Sequence, residues 1–267
     1  MSQINLQDES VNKLIELLRV MPQIRKLNLS NNTRVNRENF PRLIECLKDN
    51  QTHLTDLDLS KLNINSMACF ADLAQLIKAN KNLKYLSIVK VNANDDHGKL
   101  LVDPLSQSLN LEYLKFDFNH LTGDFVEKFS AGMQKINFSP VIAPSGIAGM
   151  LDRNASASLL ASESEDNTIS GAISRRSSQA GLGNQGLISL SFEGNPIGDR
   201  GAQAIADMIK VKSDATKNLK TINLNECSID NVGLQLLRNA LQLRGNLTKE
   251  YNLTHIGVKI ERNLFDQ

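Results

Sequence analysis

The nine residues from Ile24, IRKLNLSNN, put apolar side chains at Ile24, Leu27 and Leu29 and close on Asn32. Leu27 and Leu29 alternate with polar neighbours, which on a strand sends both to one face. The stretch is too short and too polar for an amphipathic helix. The same phrase returns as LTDLDLSKL from Leu54, LKYLSIVKV from Leu83, LEYLKFDFN from Leu111, LISLSFEGN from Leu187 and LKTINLNEC from Leu219. The starts at 24, 54, 83 and 111 are 30, 29 and 28 residues apart, and 219 follows 187 by 32. Repetition at a nearly constant period is the mark of a stacked array. Behind each phrase the apolar spacing changes to that of a helix, as at Ile205, Met208 and Ile209. Each unit is therefore a short strand followed by a helix, and it buries its apolar face only against its neighbours.

The skeleton LxxLxLxxN/C, followed by PIGDRGAQAIADMIK after Asn195 and SIDNVGLQLLRNALQ after Cys227, resembles the leucine-rich repeat family. The form is the long repeat typified by ribonuclease inhibitor. The resemblance covers nearly the whole chain apart from one insert. It implies an α/β solenoid, a horseshoe with a parallel sheet on the concave face and helices on the convex face. Asn32, Asn119, Asn195 and Cys227 fill the position that satisfies buried backbone groups where the strand turns away, whereas Leu62 and Val91 interrupt that ladder.

Arrays need polar ends. Residues 4–21 read as an amphipathic capping helix with Ile4, Leu14, Ile15, Leu18 and Val20 as its contacts, so residues 1–23 are assigned to an N-terminal cap. Repeats occupy 24–139 and 185–250, a worn seventh copy is expected near Leu247, and 251–267 form a C-terminal cap of a single repeat domain, 1–267. Between Leu111 and Leu187 the period fails, because 76 residues separate the two starts. One more repeat is expected there, with Met133, Ile136 and Phe138 as its strand. The remainder, 140–184, is a low-complexity insert rich in Ser, Ala, Gly and Asn and is expected to be flexible. Its SRRSSQ places Ser178 in an Arg-Arg-x-Ser context, a possible phosphorylation site.

Composition narrows the chemistry. The net charge is +1, which offers no electrostatic attraction to nucleic acid or an anionic membrane. No run of 18 apolar residues is present to span a bilayer. The N-terminus has no signal-peptide pattern. Cys46, Cys69 and Cys227 have no CxxC spacing and read as reduced thiols of a cytoplasmic protein. His53, His97, His120 and His255 fall at unlike repeat positions and form no column. Asp95, Asp96 and His97 are read as a solvated helix-entry loop in preference to a metal site. There is no phosphate loop and no nucleophile elbow, so neither catalysis, cofactor nor small-molecule substrate is expected.

The resemblance implies protein binding through the concave sheet. By strand alternation the outward columns are Lys26, Asp56, Tyr85, Tyr113, Ser189 and Thr221; Asn28, Asp58, Ser87, Lys115, Ser191 and Asn223; and Ser30, Ser60, Val89, Asp117, Glu193 and Asn225. Tyr85 and Tyr113 should lie side by side with Val89 beside them and Phe118 just beyond, which is anchor material for a partner. Lys115, Asp117 and Asp58 would form a charged rim, and Asp56 is counted with the partner-binding residues. Asn makes up roughly one residue in nine, well above ordinary usage. In this the chain is similar to stand-alone leucine-rich repeat effectors of intracellular bacteria, which act in the host cytosol on a host or bacterial protein. Two alternatives share the repeat type: a protist cytosolic scaffold and a small-GTPase activator of the Ran-cycle kind.

Overall fold

The computed structural model describes residues 8–50, 53–135, 186–211, 213, 215–251 and 257–260. The chain divides into two units, Met1–Asn137 with Asn184–Gln267, and Phe138–Gly183. The second unit, which holds Phe138 and Ser178, lies outside the described residues, as do Ile4 and Ile136 of the first.

The first unit is a solenoid built from one repeated step. Helix α1 (Asp8–Val20) leads into β1 (Lys26–Asn28), α2 (Phe40–Asn50), β2 (Asp56–Asp58), α3 (Met67–Ala79), β3 (Tyr85–Ser87), α4 (Asp95–Ser106), β4 (Tyr113–Lys115) and α5 (Gly123–Gln134). Then follow β5 (Ser189–Ser191), α6 (Gly198–Lys210), β6 (Thr221–Asn223), α7 (Asn231–Tyr251) and β7 (Gly257–Lys259). The strands form one parallel seven-stranded sheet in sequence order, with the helices packed against their neighbours in the same order. Parallel strands need a crossover, and here each crossover is the helix half of a repeat. Leu27, Leu57, Leu86, Leu114, Leu190 and Ile222 pair in register as the buried middle residue of successive strands.

Two positions just after each strand explain the polar end of the repeat phrase. The eighth residue of every copy adopts the left-handed conformation: Asn31 (φ 62°), Lys61 (59°), Lys90 (55°), Phe118 (54°), Gly194 (68°) and Glu226 (55°). The ninth, when Asn or Cys, satisfies the backbone beneath that turn. Asn119 Nδ2 donates to Ile88 O (2.7 Å) and Phe116 O (2.8 Å), while its Oδ1 accepts from Val91 N and Ala93 N, both at 3.1 Å. Repeat 3, whose own ninth residue is Val91, is thus served by its neighbour. Asn195 repeats the pattern, donating to Phe116 O (2.9 Å) and Phe192 O (2.8 Å) and accepting from Leu121 N (3.1 Å).

Four expectations are corrected. Strand β4 pairs directly with β5, Tyr113 opposite Ser189, so no further repeat enters the sheet between them. Met133 is buried in α5 and belongs to no strand. The long gap in sequence is closed instead by rings. Phe116 and Phe192 stack at 5.8 Å, Phe125 meets Phe116 and Phe192 edge-on, and Phe129 joins Phe125 and Phe192. Arg200 of α6 bridges back to Asp124 and Glu127 of α5 across the same junction. Leu247 lies within α7, and the seventh strand is Gly257–Lys259. Finally, Val20 is 75% exposed, because the buried stripe of α1 runs through Val11, Leu14, Ile15 and Leu18 and Val20 falls off it.

Candidate functional site: the outer face of the sheet

Pairing brings the first outward column into a straight line: Lys26 opposite Asp56, Asp56 opposite Tyr85, Tyr85 opposite Tyr113, Tyr113 opposite Ser189 and Ser189 opposite Thr221. Neighbouring strands stand about 5 Å apart, so Tyr85 and Tyr113 are adjacent. Tyr113 is 40% exposed, and Tyr85 and Val89 are half-buried. Lys115, one outward position beyond Tyr113 on β4, carries its Nζ 6.0 Å from the centroid of the Tyr85 ring. Phe118 is 37% exposed, and the Lys90 Nζ sits 4.5 Å from its ring centroid. Tyr85, Tyr113, Val89, Phe118, Lys90 and Lys115 therefore share one surface.

On the β1 side of Tyr85 lies a hollow of about 410 Å³ lined by Lys26, Leu27, Asn28, Asp56, Asp58 and Tyr85. Its acids are already engaged. Asp56 accepts from Thr55 Oγ1 (2.6 Å) and pairs with Lys26 Nζ (3.3 Å), while Asp58 Oδ1 accepts the Ser60 N–H (3.0 Å).

The outward columns are less open than alternation implies. Ser30, Ser60, Ser87 and Ser191 are buried, and Ser60 and Ser87 bond to each other at 2.8 Å between their hydroxyl oxygens. A side chain this short is covered when its cross-strand neighbours are longer. Asp117, expected in an exposed rim, is also buried: its Oδ1 accepts the Glu193 N–H at 3.1 Å. Burial raises its carboxyl above the ordinary value; the charge of Glu193 adds to the rise and that of Lys115 opposes it. Asp117 is thus part of the link between repeats 4 and 5, and no rim residue.

The residues read as a helix-entry loop form the first turn of α4. Asn94 Oδ1 accepts the His97 N–H (3.2 Å), and the Asn94 N–H donates to His97 Nδ1 (3.3 Å), a reciprocal cap. His97 is buried with its ring 4.8 Å from that of Phe70, and desolvation lowers its pKa. Asp95 accepts from Thr122 N (2.7 Å) and Thr122 Oγ1 (2.6 Å), tying α4 to the entry of α5. Among the described residues no three His, Cys, Asp or Glu side chains gather where they could hold a metal ion. Cys46, Cys69 and Cys227 are all buried, and no disulfide joins them. Among the described residues no helix is long and apolar enough to cross a membrane.

Sequence reasoning missed Lys90 as a partner of the patch. The signal was present: Lys90 and Phe118 occupy the same position in consecutive repeats, so they must be neighbours.

Comparison with known proteins matches residues 183–206 to the Leucine Rich repeat. No curated protein matches the chain. Among solved structures, actin-binding site 2 of leiomodin-1 is 12% identical, covering 90% of this chain and 92% of that one with a TM-score of 0.38. The Rad7 and Elc1 complex of yeast is similar at 17% identity, 88% and 63% coverage and a TM-score of 0.38. An internalin of Listeria monocytogenes is similar at 15% identity, 94% and 88% coverage and a TM-score of 0.21. The repeat match, set on the stacked strand–helix units described above, supports a leucine-rich repeat protein.

Proposed function

We propose that the chain is a non-enzymatic protein-binding module that captures a partner on the outer face of its sheet, centred on Tyr85 and Tyr113. The observation that carries this reading is their placement in register on β3 and β4, with Tyr113 open to solvent. Aromatic rings on a rigid sheet supply contact area at small entropic cost, as binding hot spots do. Nothing in the sheet requires an exposed tyrosine at that position, since Ser189 and Thr221 occupy it on the next two strands.

The repeat length of about 28–32 residues supports the ribonuclease-inhibitor-like type. Three buried thiols joined by no disulfide suit a reducing compartment. With the Asn-rich composition, they support an effector working in a host cytosol, inhibiting or scaffolding a host or bacterial protein. The test is affinity capture with the intact chain and with Tyr85→Ala/Tyr113→Ala, read by quantitative mass spectrometry. A partner retained by the first and lost by the second is expected. The same partner retained equally by both refutes the assignment. In a turnover assay with small GTPases the chain should give no acceleration.

A further inference from the structure

Phe118 stands where the repeat demands a left-handed backbone, with φ 54°. That conformation disfavours an L-residue by roughly 1–2 kcal/mol, and a bulky aromatic is among the least suited to it. Other copies place Asn31, Lys61, Lys90, Gly194 and Glu226 at this position, of which Asn and Gly tolerate it best and none is aromatic. The ring nevertheless has a prepared seat. A Cβ on Gly194, the same position one repeat further on, would lie 2.4 Å from Phe118 Cδ1, so only glycine there leaves room. Two unusual choices in adjacent repeats thus keep one ring at the surface, and Lys90 of the preceding repeat covers part of its face. The cost in backbone strain yields no buried core contact of the kind Phe116 or Phe192 makes, since the Phe118 ring stays 37% exposed.

The charges around this ring differ in how they are satisfied. On the same face Asp56 is held by Lys26 and Thr55, Asp58 by the Ser60 N–H, Asp117 by the Glu193 N–H in a buried setting, and Glu193 by Asn223 Nδ2 at 2.8 Å. Lys90 and Lys115 are held only by aromatic faces, and neither pairs with a carboxylate among the described residues. Lys115 senses the charge of Asp117, but Asp117 is buried and committed to the backbone of repeat 5. Lys90 and Lys115 are therefore the charged groups beside the Tyr85–Tyr113–Phe118 surface that no ion pair among the described residues engages, while Asp58 and Glu193, bonded to neutral donors, stay anionic further along the face.

We infer that the surface formed by Tyr113, Phe118, Lys90 and Lys115 takes an acidic segment of a partner protein, in which carboxylates flank an apolar side chain. The apolar group rests on the Tyr113 and Phe118 rings while the carboxylates reach the two ammonium groups. Both lysines lie over rings, so an incoming carboxylate meets a charge whose position is already restricted. This inference rests on the protein-binding reading above and specifies the chemistry of the partner.

The test is selection from a random-peptide display library on the immobilised full chain. Peptides with Asp or Glu on either side of an apolar residue should be enriched about tenfold or more over input. Lys90→Glu/Lys115→Glu should abolish that enrichment or turn it toward Lys and Arg. Phe118→Asn, at a backbone conformation that suits Asn, should fold and enrich the acidic set less. A Lys- or Arg-rich set, an uncharged set, or no enrichment on the native chain would overturn the inference, as would an acidic set undiminished by charge reversal. Tyr85→Ala/Tyr113→Ala separates the two readings. Binding that ignores charge but is lost with these tyrosines leaves the protein-binding surface standing and removes the acidic partner. An acidic set untouched by their loss removes the tyrosine-centred surface, and with it the seat of the apolar group on Tyr113.

Discussion

At Cys227 a single side chain does a structural task that its chemistry elsewhere would put at risk. Its Sγ donates to Phe192 O at 3.2 Å, in the place where Asn119 and Asn195 use an amide. Burial pushes its thiol up to about 12, so it stays protonated and able to donate at any ordinary pH. Cys46 and Cys69 are buried as well. Ellman's reagent should therefore react slowly with native protein and titrate three thiols on unfolding; prompt labelling of native Cys227 would contradict its place in the ladder. Asp117 is the opposite case, a charged group held where a neutral one suffices. Its folded carboxyl is raised, so the folded state gains relative stability as pH falls through that raised value and loses it again toward neutrality. Asp117→Asn keeps an oxygen for the Glu193 N–H and removes the buried charge. It should raise the melting temperature at pH 7, with the gain shrinking as the pH is lowered. A lower melting temperature at pH 7 would show that the charge itself holds the junction. The burial of Asp117 was not legible in the sequence, because alternation assigns a face and says nothing of how far neighbouring side chains cover it.

The strands are three residues each, too short to be stable alone, so each repeat depends on what ties it to the next. The tie between β4 and β5 is the most demanding, since 73 residues, Phe116 to Ile188, separate the two strands in sequence. Phe192 is fully buried against Phe116, Phe125 and Phe129 there. Truncating it to Ala should destabilise the array by about 3–5 kcal/mol, measurable by urea denaturation. A loss below about 1 kcal/mol would mean the ring cluster does not hold the junction. Asn119→Ala should also be severe. It leaves Val91 N, Ala93 N and Ile88 O without their partner, whereas Phe116 O keeps Asn195 Nδ2, at about 1–3 kcal/mol for each group that stays unsatisfied. The strand positions and their register were readable because LxxLxL fixes which residues face inward. The junction was not, since a broken period does not say whether a repeat is hidden or the flanking repeats meet. The four phenylalanines, spread from Phe116 to Phe192, gave no periodic sign of meeting. Strand β7 was missed for a related reason: GVK carries none of the leucines that marked the others.

Across the whole molecule, the repeats that build the sheet also set the candidate binding surface, because equivalent positions in successive copies must lie side by side. That rule made Tyr85 and Tyr113 neighbours from the sequence alone, and the sheet register agrees. It could have found Lys90 beside Phe118 as well. What it could not give is the conformation that holds Phe118 outward or the glycine that seats it, since neither follows from hydrophobic spacing. The central claim is that a partner is bound by this face of the sheet. The direct measurement is the affinity of the captured partner for the intact chain and for Tyr85→Ala/Tyr113→Ala, by calorimetry, with circular dichroism confirming that both fold alike. Loss of two anchor rings predicts an affinity at least about 30-fold weaker, on the order of 2 kcal/mol, with unchanged secondary structure. Equal affinity in a correctly folded double variant would contradict the claim and move the binding site elsewhere.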